Sequence, residues 1–81
     1  MDFVVYILFS KNHNTTYTGY TSDLISRFKS HNELSTKGHT TKFRPWEVIH
    51  VEFCTDKKSA MAREKYLKTG AGKDYIKSLT R

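Results

Sequence analysis

The segment Phe3–Phe9 constrains the fold of this 81-residue chain more than any other part of the sequence. It is a continuous run of β-branched, aromatic and aliphatic residues, without the alternating polar positions of a strand that faces water on one side. Such a run is typical of a strand covered on both faces, so we place it in the middle of a sheet. Because a chain of this length buries only about 60% of its unfolded surface, we expect a single domain over residues 1–81.

The sequence after this strand predicts a hairpin, a third strand and three helices. Ser10–Thr16 is rich in turn formers, and Tyr17–Tyr20 resumes a β-favouring pattern. The first predicted helix has its N-cap at Thr21 or Ser22, an apolar stripe of Leu24, Ile25 and Phe28 and an end near Asn32. A strand at Trp46–Cys54 follows, then a helix at Lys57–Thr69, capped by Asp56 and ended by Gly70 in left-handed backbone, and a short helix at Tyr75–Leu79. Gly72 is likewise attributed to helix termination, because Gly70-Ala71-Gly72-Lys73 does not match the phosphate-binding pattern Gly-x-x-x-x-Gly-Lys-Ser/Thr. The predicted fold class is α+β, a small three-stranded, mainly antiparallel sheet flanked by helices in the order β-β-α-β-α-α.

The charge balance indicates the kind of partner. The chain has 14 Lys and Arg residues against 8 Asp and Glu residues, a formal net charge of +6. On so small a surface this favours a polyanion, with nucleic acid as the leading candidate, although many small proteins are basic for solubility alone. Residues 33–44 include Lys37, Lys42 and Arg44 and predict a mobile basic loop that Pro45 closes.

Cysteine content and hydropathy bear on location. Cys54 is the only cysteine, so no disulfide can form within the chain, which suits a reducing compartment. No apolar run approaches the roughly 18 residues of a membrane-spanning helix, and the N-terminus does not resemble a cleavable signal. We therefore expect a cytoplasmic protein without a membrane partner.

Several motifs occur in a characteristic order along the chain. The tripeptides Val5-Tyr6-Ile7 and Tyr17-Thr18-Gly19 precede Arg27 and His31, which lie one helical turn apart, and Arg63-Glu64-Lys65 follows. This ordered set resembles the signature of the GIY-YIG nuclease family over roughly residues 3 to 79. The likeness is to the small, single-domain members, related to the N-terminal domain of the bacterial excision-repair incision subunit.

The resemblance implies a divalent-metal-dependent endonuclease that hydrolyses DNA phosphodiester bonds with one ion, Mg²⁺ or Mn²⁺, in structure-directed or repair-related cleavage. It implies that Glu64 holds the metal and that Arg27 clamps the phosphate. Of Tyr6 and Tyr17, one would help to activate the attacking water and the other would orient the phosphate or metal shell. His31 would carry a proton or hold a phenol in place. Larger relatives append a specificity domain, so a partner protein could supply specificity here.

The residues themselves leave other interpretations open. Glu64 lies along the apolar stripe of its own helix, where a carboxylate needs a partner, and an ordinary surface pair with Lys68 would provide one. Arg27 could be a solvated helix residue, and His31 could be favoured by the end of its helix. Tyrosine is also a common strand residue.

A second group of residues is predicted to contact nucleic acid. Tyr20 follows the motif glycine, at a position where some relatives have lysine. The other candidates, which would follow the phosphate backbone as a group, are His39, Lys42, Arg44, Lys68 and Lys73.

Two alternatives to a metal-dependent nuclease remain at this point. The first is a nucleic-acid-binding module of the same fold that is catalytically weak or inactive. The second is a metal-independent ribonuclease in which two histidines, such as His31 and His39, act as acid and base.

Overall fold

The computed structural model describes residues 2–29, 31–32 and 42–80 of the chain. The elements in chain order are β1 (Phe3–Ser10), β2 (Thr15–Thr21), α1 (Leu24–Lys29), β3 (Glu47–Cys54), α2 (Lys57–Leu67) and α3 (Gly70–Leu79). The order β-β-α-β-α-α and the α+β fold class are confirmed. Among the described helices, none is long and apolar enough to cross a membrane.

The sheet has the strand order β2-β1-β3, so β1 lies in the centre as its sequence predicts. β1 pairs antiparallel with both neighbours, and its pairing with β3 is shifted between Ile7 and Leu8. The predicted hairpin of β1 and β2 is also present, with Lys11–Asn14 as its turn. Asn14 takes a left-handed conformation with φ of 48°, which asparagine tolerates better than most residues.

Two apolar clusters cover the two faces of β1. Val5 and Ile7 pack on one face against α2 and α3, in a cluster that contains the buried residues Ala60, Leu67 and Ile76. On the other face, the buried residues Tyr6, Leu8 and Trp46 form a cluster with the half-buried Tyr17, Leu24, Phe28 and Phe43. Because successive side chains of a strand point to opposite faces, burial on both sides requires the continuous apolar run found in the sequence.

The start of α1 differs from the sequence prediction. Asp23, rather than Thr21 or Ser22, is the N-cap, since its Oδ1 accepts a hydrogen bond from the backbone N–H of Ser26 at 3.2 Å. The Thr21 hydroxyl instead accepts from the N–H of Asp23 at 3.0 Å. A carboxylate satisfies a free N–H at the helix start as well as a hydroxyl does, and it also interacts favourably with the helix dipole.

The α-helical body of α1 spans Leu24–Lys29, and the predicted end near Asn32 falls in backbone of a different helical type. His31 and Asn32 lie in a wider, π-type turn beyond it. Of the predicted apolar stripe, Leu24 and Phe28 pack on the sheet, but Ile25 is 73% exposed. The prediction that Ile25 is packed was wrong, since a helix of this length presents only one narrow stripe to the sheet.

The predicted boundary between the last two helices was wrong. α2 ends at Leu67 and not at Thr69, and α3 begins at Gly70 and not at Tyr75. Gly70 is helical and does not have left-handed backbone. Thr69 caps α3, with its hydroxyl accepting from the N–H of Gly72 at 3.3 Å. The predicted Asp56 cap of α2 is present, accepting from the N–H of Ser59 at 2.7 Å.

Gly72 allows α3 to approach the end of α2. A Cβ atom at this position would lie 2.4 Å from both the Cα of Leu67 and the carbonyl oxygen of Tyr66. Both contacts are with backbone, which cannot move aside as a flexible side chain can. The glycine is therefore explained by close packing of two helices and not by helix termination.

Asn32 joins the end of the α1 region to the start of β3. Its Nδ2 donates to the carbonyl oxygen of Trp46 at 2.9 Å, and its Oδ1 accepts from the Trp46 N–H. These two bonds hold together the ends of the segment predicted to be a mobile basic loop. Most of that predicted loop, including Lys37 and His39, lies outside the described residues; Lys42 and Phe43 form a short 3₁₀ turn.

Candidate functional site

The hairpin brings Tyr6 and Tyr17 to one face of the sheet. Tyr6 pairs with Gly19 and Leu8 pairs with Tyr17 across the two strands, and paired residues of antiparallel strands share a face. The two tyrosine rings have centroids 6.3 Å apart. Tyr6 is only 1% exposed, whereas Tyr17 is half-buried.

Gly19 makes room for the Tyr6 phenol. A Cβ atom on Gly19 would lie 2.6 Å from the Tyr6 hydroxyl oxygen, 2.8 Å from Tyr6 Cζ and 3.1 Å from Tyr17 Cε1. Real Cβ atoms do not approach other atoms this closely, so a larger residue would have to displace the phenol. The glycine of the second tripeptide is therefore part of the site, because the Tyr6 ring occupies the space that a side chain would fill.

The turn after α1 places His31 against both tyrosines. Its Nε2 lies 2.9 Å from the Tyr6 hydroxyl, and its ring centroid is 4.9 Å from that of Tyr17. His31 is 8% exposed, and its backbone carbonyl accepts a hydrogen bond from Nε of Arg44. The imidazole is thus held from two sides, through its ring and through its backbone.

The ionisation of Tyr6 reflects the groups around it. Burial raises the pKa of Tyr6 to about 12, and the neighbouring Tyr17 adds to the increase. The Arg27 guanidinium opposes the increase through its charge and a hydrogen bond, while the Glu64 carboxylate raises the pKa further. Arg27, Tyr17 and Glu64 therefore all act electrostatically on one phenol, which keeps its proton at neutral pH.

The protonation of His31 complements that of Tyr6. Burial lowers the pKa of His31 from its usual value of 6.5, and the positive charges of Arg27 and Arg44 lower it further. The imidazole is therefore neutral at neutral pH, so one of its ring nitrogens carries a proton and the other has a lone pair that can accept a hydrogen bond. In the tautomer with the proton on Nδ1, the Tyr6 hydroxyl donates to Nε2.

Glu64 lies at the border between the interior and the solvent. Ala60 and Leu67, on the same stripe of α2, are fully buried, and the Glu64 side chain is 22% exposed. Its Oε1 lies 3.5 Å from Nζ of Lys68, the i+4 pair considered from the sequence. Glu64 thus combines both interpretations, since it faces the border of the core and also pairs with a lysine.

The donor set for a metal ion is small. The described residues contain no group of three or more His, Cys, Asp or Glu side chains arranged to hold a metal. A single carboxylate fits Mg²⁺ or Mn²⁺, because Mg²⁺ usually keeps several waters and binds through one or two carboxylates together with substrate phosphate. Glu64 is the carboxylate that could serve, and Arg27, an exposed residue, acts with it on the same Tyr6 phenol.

Of the remaining predicted contact residues, Arg44 lies at this site, whereas Tyr20 does not. Tyr20 pairs with Val5 and therefore lies on the opposite face of the sheet, where it packs on the core beside Phe3. Lys42 is exposed, and Arg44 contacts the His31 backbone. His39 lies outside the described residues.

A polar cluster that sequence reasoning missed anchors α2 to β3. Arg63 donates to both carboxylate oxygens of Glu52, at 2.7 and 3.0 Å, and His50 contacts the same carboxylate at 2.8 Å. The Arg63 hydrogen bonds hold the pKa of Glu52 below its usual range. Because Arg63 precedes Glu64, this bidentate pair fixes the rotation of the helix that carries Glu64. The signal in the sequence was the polar pair His50 and Glu52 among apolar residues of the predicted strand.

Comparisons with known proteins identify the family of this chain. The family model described as the GIY-YIG catalytic domain matches residues 2–76. UPF0213 protein YazA of Bacillus subtilis is 42% identical over 55 residues, covering 68% of this chain and 56% of that protein. A UPF0213 protein of Staphylococcus haemolyticus is 33% identical over 75 residues, covering 93% of this chain and 90% of the relative.

The coverage of the relatives differs. The matched part of the chain spans little more than half the length of YazA and of a UPF0213 protein from Bacillus velezensis, 56% and 54%. The solution NMR structure of a UPF0213 protein from Bacillus halodurans superposes with a TM-score of 0.58 at 30% sequence identity, covering 98% of this chain and 85% of the other.

The family match extends from β1 to α3 and includes both tyrosine strands, the arginine helix and the glutamate helix. A relative with a solved structure shares the same fold along nearly the whole chain. The chain therefore belongs to the GIY-YIG catalytic domain family.

Proposed function

We propose that this chain is a divalent-metal-dependent endonuclease that hydrolyses DNA phosphodiester bonds through a one-metal mechanism. One observation carries the proposal: the buried Tyr6 phenol contacts His31 and Tyr17, and the charges of Arg27 and Glu64 both act on it. These residues come from two strands, the α1 region and α2. Their convergence on one phenol supports a shared catalytic role, and family membership supports the choice of nuclease chemistry.

In this proposal Glu64 holds one Mg²⁺ or Mn²⁺, which, when bound, neutralises charge on the scissile phosphate and on the leaving oxygen. Lys68, which pairs with Glu64 at 3.5 Å, is 57% exposed and can turn toward solvent without breaking a buried contact. A surface pair of this kind is worth less than about 1 kcal/mol, so it does not oppose metal binding strongly.

Arg27 is assigned to the phosphate. Arg27 is an exposed residue whose guanidinium acts on the Tyr6 phenol, so some of its N–H groups can stay near the phenol while others donate to a non-bridging phosphate oxygen. A planar, permanently charged fork is suited to phosphate and stabilises charge that grows on it during attack.

Tyr6 and His31 are assigned to proton transfer. With its pKa raised to about 12, Tyr6 is a poor base while it is protonated and needs an acceptor for its proton. Neutral His31, 2.9 Å away, provides this acceptor. The attacking water would lose its proton to the Tyr6 oxygen as the Tyr6 proton passes to Nε2 of His31. Tyr17, at the half-buried edge of the site, is then the residue that orients the phosphate.

The proposal is tested by nicking of supercoiled plasmid and cleavage of a branched DNA with Mg²⁺ or Mn²⁺, and with a chelator, for the native chain and Arg27→Ala. Metal-dependent cleavage that is lost in Arg27→Ala is the expected result. DNA binding without cleavage in any metal would instead favour the catalytically inactive binding module. Cleavage of RNA that persists in the chelator would favour the metal-independent ribonuclease.

A further inference from the structure

A polar groove runs beside the candidate site, between the edge strand β2 and helix α3. One cavity of about 210 Å³ is lined by Tyr17, Lys68 and Lys73, among others. A second, of about 380 Å³, extends to the hairpin turn and is lined by Asn14, Lys73 and Lys77. The two cavities share Thr16, Lys73 and Ile76, so they form one continuous path, which we term the β2–α3 groove.

The charged side chains that line this groove are all positive. Lys68, Lys73 and Lys77 line it, and none of its described lining residues is acidic. Lys68 pairs with Glu64, whereas the ion pairs found among residues 2–29, 31–32 and 42–80 do not involve Lys73 or Lys77. Lys73 and Lys77 are four residues apart on α3, an arrangement in which like charges repel. An anion in the groove would relieve that repulsion.

The wall of the groove that lies across from α3 also suits a nucleic-acid backbone. It consists of β2, an edge strand of the sheet, with threonine side chains and the end of the hairpin turn. An edge strand presents backbone N–H groups that have no partner within the sheet. Hydroxyls, backbone N–H groups and lysines are common donors to phosphate oxygens in protein–DNA complexes.

The groove meets the candidate site at Tyr17 and Lys68. The Tyr17 ring contacts Tyr6 and His31, and the same residue, on the edge strand, lines the first cavity. Lys68 also lines that cavity and pairs with Glu64 of the site. A strand whose phosphate lay at Arg27 could therefore continue past Tyr17 and along Lys73 and Lys77 toward the hairpin turn.

We propose that the β2–α3 groove binds the phosphate backbone of a DNA strand on one side of the scissile phosphate, with Lys73 and Lys77 as its main contacts. This inference rests on the proposed function for the identity of its ligand, but it concerns binding and not chemistry. An extended groove with one sign of charge fits a linear polyanion better than a small anion, which would leave most of its length empty.

The test is binding of a short fluorescein-labelled DNA duplex, measured by anisotropy in a chelator over a series of salt concentrations. The double variant Lys73→Gln/Lys77→Gln is compared with the native chain and with Lys57→Gln/Lys58→Gln. The control lysines are also exposed but lie at the start of α2, at the opposite end of that helix from Lys68. Thermal unfolding verifies that all three proteins are folded.

We expect the groove variant to bind about tenfold more weakly at low salt, with the slope of log affinity against log salt reduced in magnitude by about two, while the control changes neither. Equal affinity and slope in the two double variants would overturn the proposal, even if the native chain cleaves DNA. Conversely, a native chain that never cleaves DNA but shows the groove-dependent slope would contradict only the proposed function.

Discussion

The hydroxyl of Tyr6 lies 2.9 Å from Nε2 of His31, although the two residues are 25 positions apart in the sequence. Tyr6 belongs to the central strand and His31 to the turn beyond α1. Both are buried, at 1% and 8% exposure. Their hydrogen bond therefore joins the region after the first helix to the centre of the sheet, and it gives the Tyr6 proton an acceptor inside the site.

Replacing Tyr6 by phenylalanine keeps the ring but removes the hydrogen bonds of the phenol to His31 and Arg27. If Tyr6 passes a proton between water and His31, the single-turnover cleavage rate of Tyr6→Phe should fall by about 10²–10⁴-fold, with DNA affinity unchanged. The free energy of unfolding should fall by about 1–3 kcal/mol, because the buried His31 loses this hydrogen-bond partner. Tyr66→Phe is the matched control, because Tyr66 is 46% exposed on α2. Comparable rates for the two variants would rule out the assigned role of Tyr6.

Gly19 offers a test of how closely the phenol is positioned. The methyl group of Gly19→Ala would lie 2.6 Å from the Tyr6 hydroxyl oxygen, so the ring must shift within a packed core. Such overpacking costs about 1–3 kcal/mol, and we expect cleavage to fall well beyond what this loss of stability explains. Urea unfolding and single-turnover cleavage measure the two effects.

The matched control for Gly19 is Gly70→Ala at the start of α3, where a Cβ atom would meet nothing within 4 Å. Because alanine restricts the unfolded chain and favours a helix, this change should be neutral or stabilise the protein by up to about 1 kcal/mol. A Gly19→Ala protein that is as stable and as active as Gly70→Ala would contradict the close contact between Gly19 and Tyr6.

The lowered pKa of His31 predicts a dependence of stability on pH. An unfolded histidine titrates near 6.5, and burial lowers the pKa of His31 in the folded state. Below about pH 6.5 the unfolded chain therefore binds more protons at this residue, so the unfolding free energy should fall as the pH decreases toward the folded pKa. Well above pH 6.5 His31 is neutral in both the folded and the unfolded chain, so its titration no longer lowers the unfolding free energy.

Urea unfolding of the native chain and His31→Gln between about pH 7.5 and pH 5 measures this effect as the difference between the two curves. The range lies above the ordinary titration of carboxylates. We expect the native chain to lose more stability than the variant over this range. Parallel curves would show that the folded state does not disfavour the charged form of His31.

Much of the fold could be predicted from local pattern. The apolar run of β1 requires burial on both faces, and this placed it at the centre of the sheet. The turn formers after Ser10 and the β-favouring residues from Tyr17 indicated the hairpin, which brings the two tyrosines together. These features depend on residues near one another in sequence, where propensity and side-chain alternation are informative.

Other features depend on contacts that a single sequence does not display. Gly70 and Gly72 were interpreted as helix termination because glycine is a poor helix former, yet Gly72 is required where α3 meets the backbone of Leu67. The bidentate Arg63–Glu52 pair spans two elements in the same way. Tyr20 is different, because strand alternation from Tyr17 already places it on the opposite face of the sheet.

The most direct test of the proposed nuclease is the single-turnover cleavage rate of Glu64→Gln beside that of Glu47→Gln, in saturating Mg²⁺ or Mn²⁺, with DNA affinity and unfolding measured on the same samples. Glutamine keeps the shape of the side chain but removes the charge that would hold the metal, whereas Glu47 is an exposed residue at the start of β3. We expect at least a roughly hundredfold loss of the cleavage rate for Glu64→Gln, with folding and DNA affinity retained. The cleavage rate of Glu47→Gln should equal that of the native chain. Cleavage by Glu64→Gln within a few-fold of the native rate would contradict the role of Glu64 as the metal ligand.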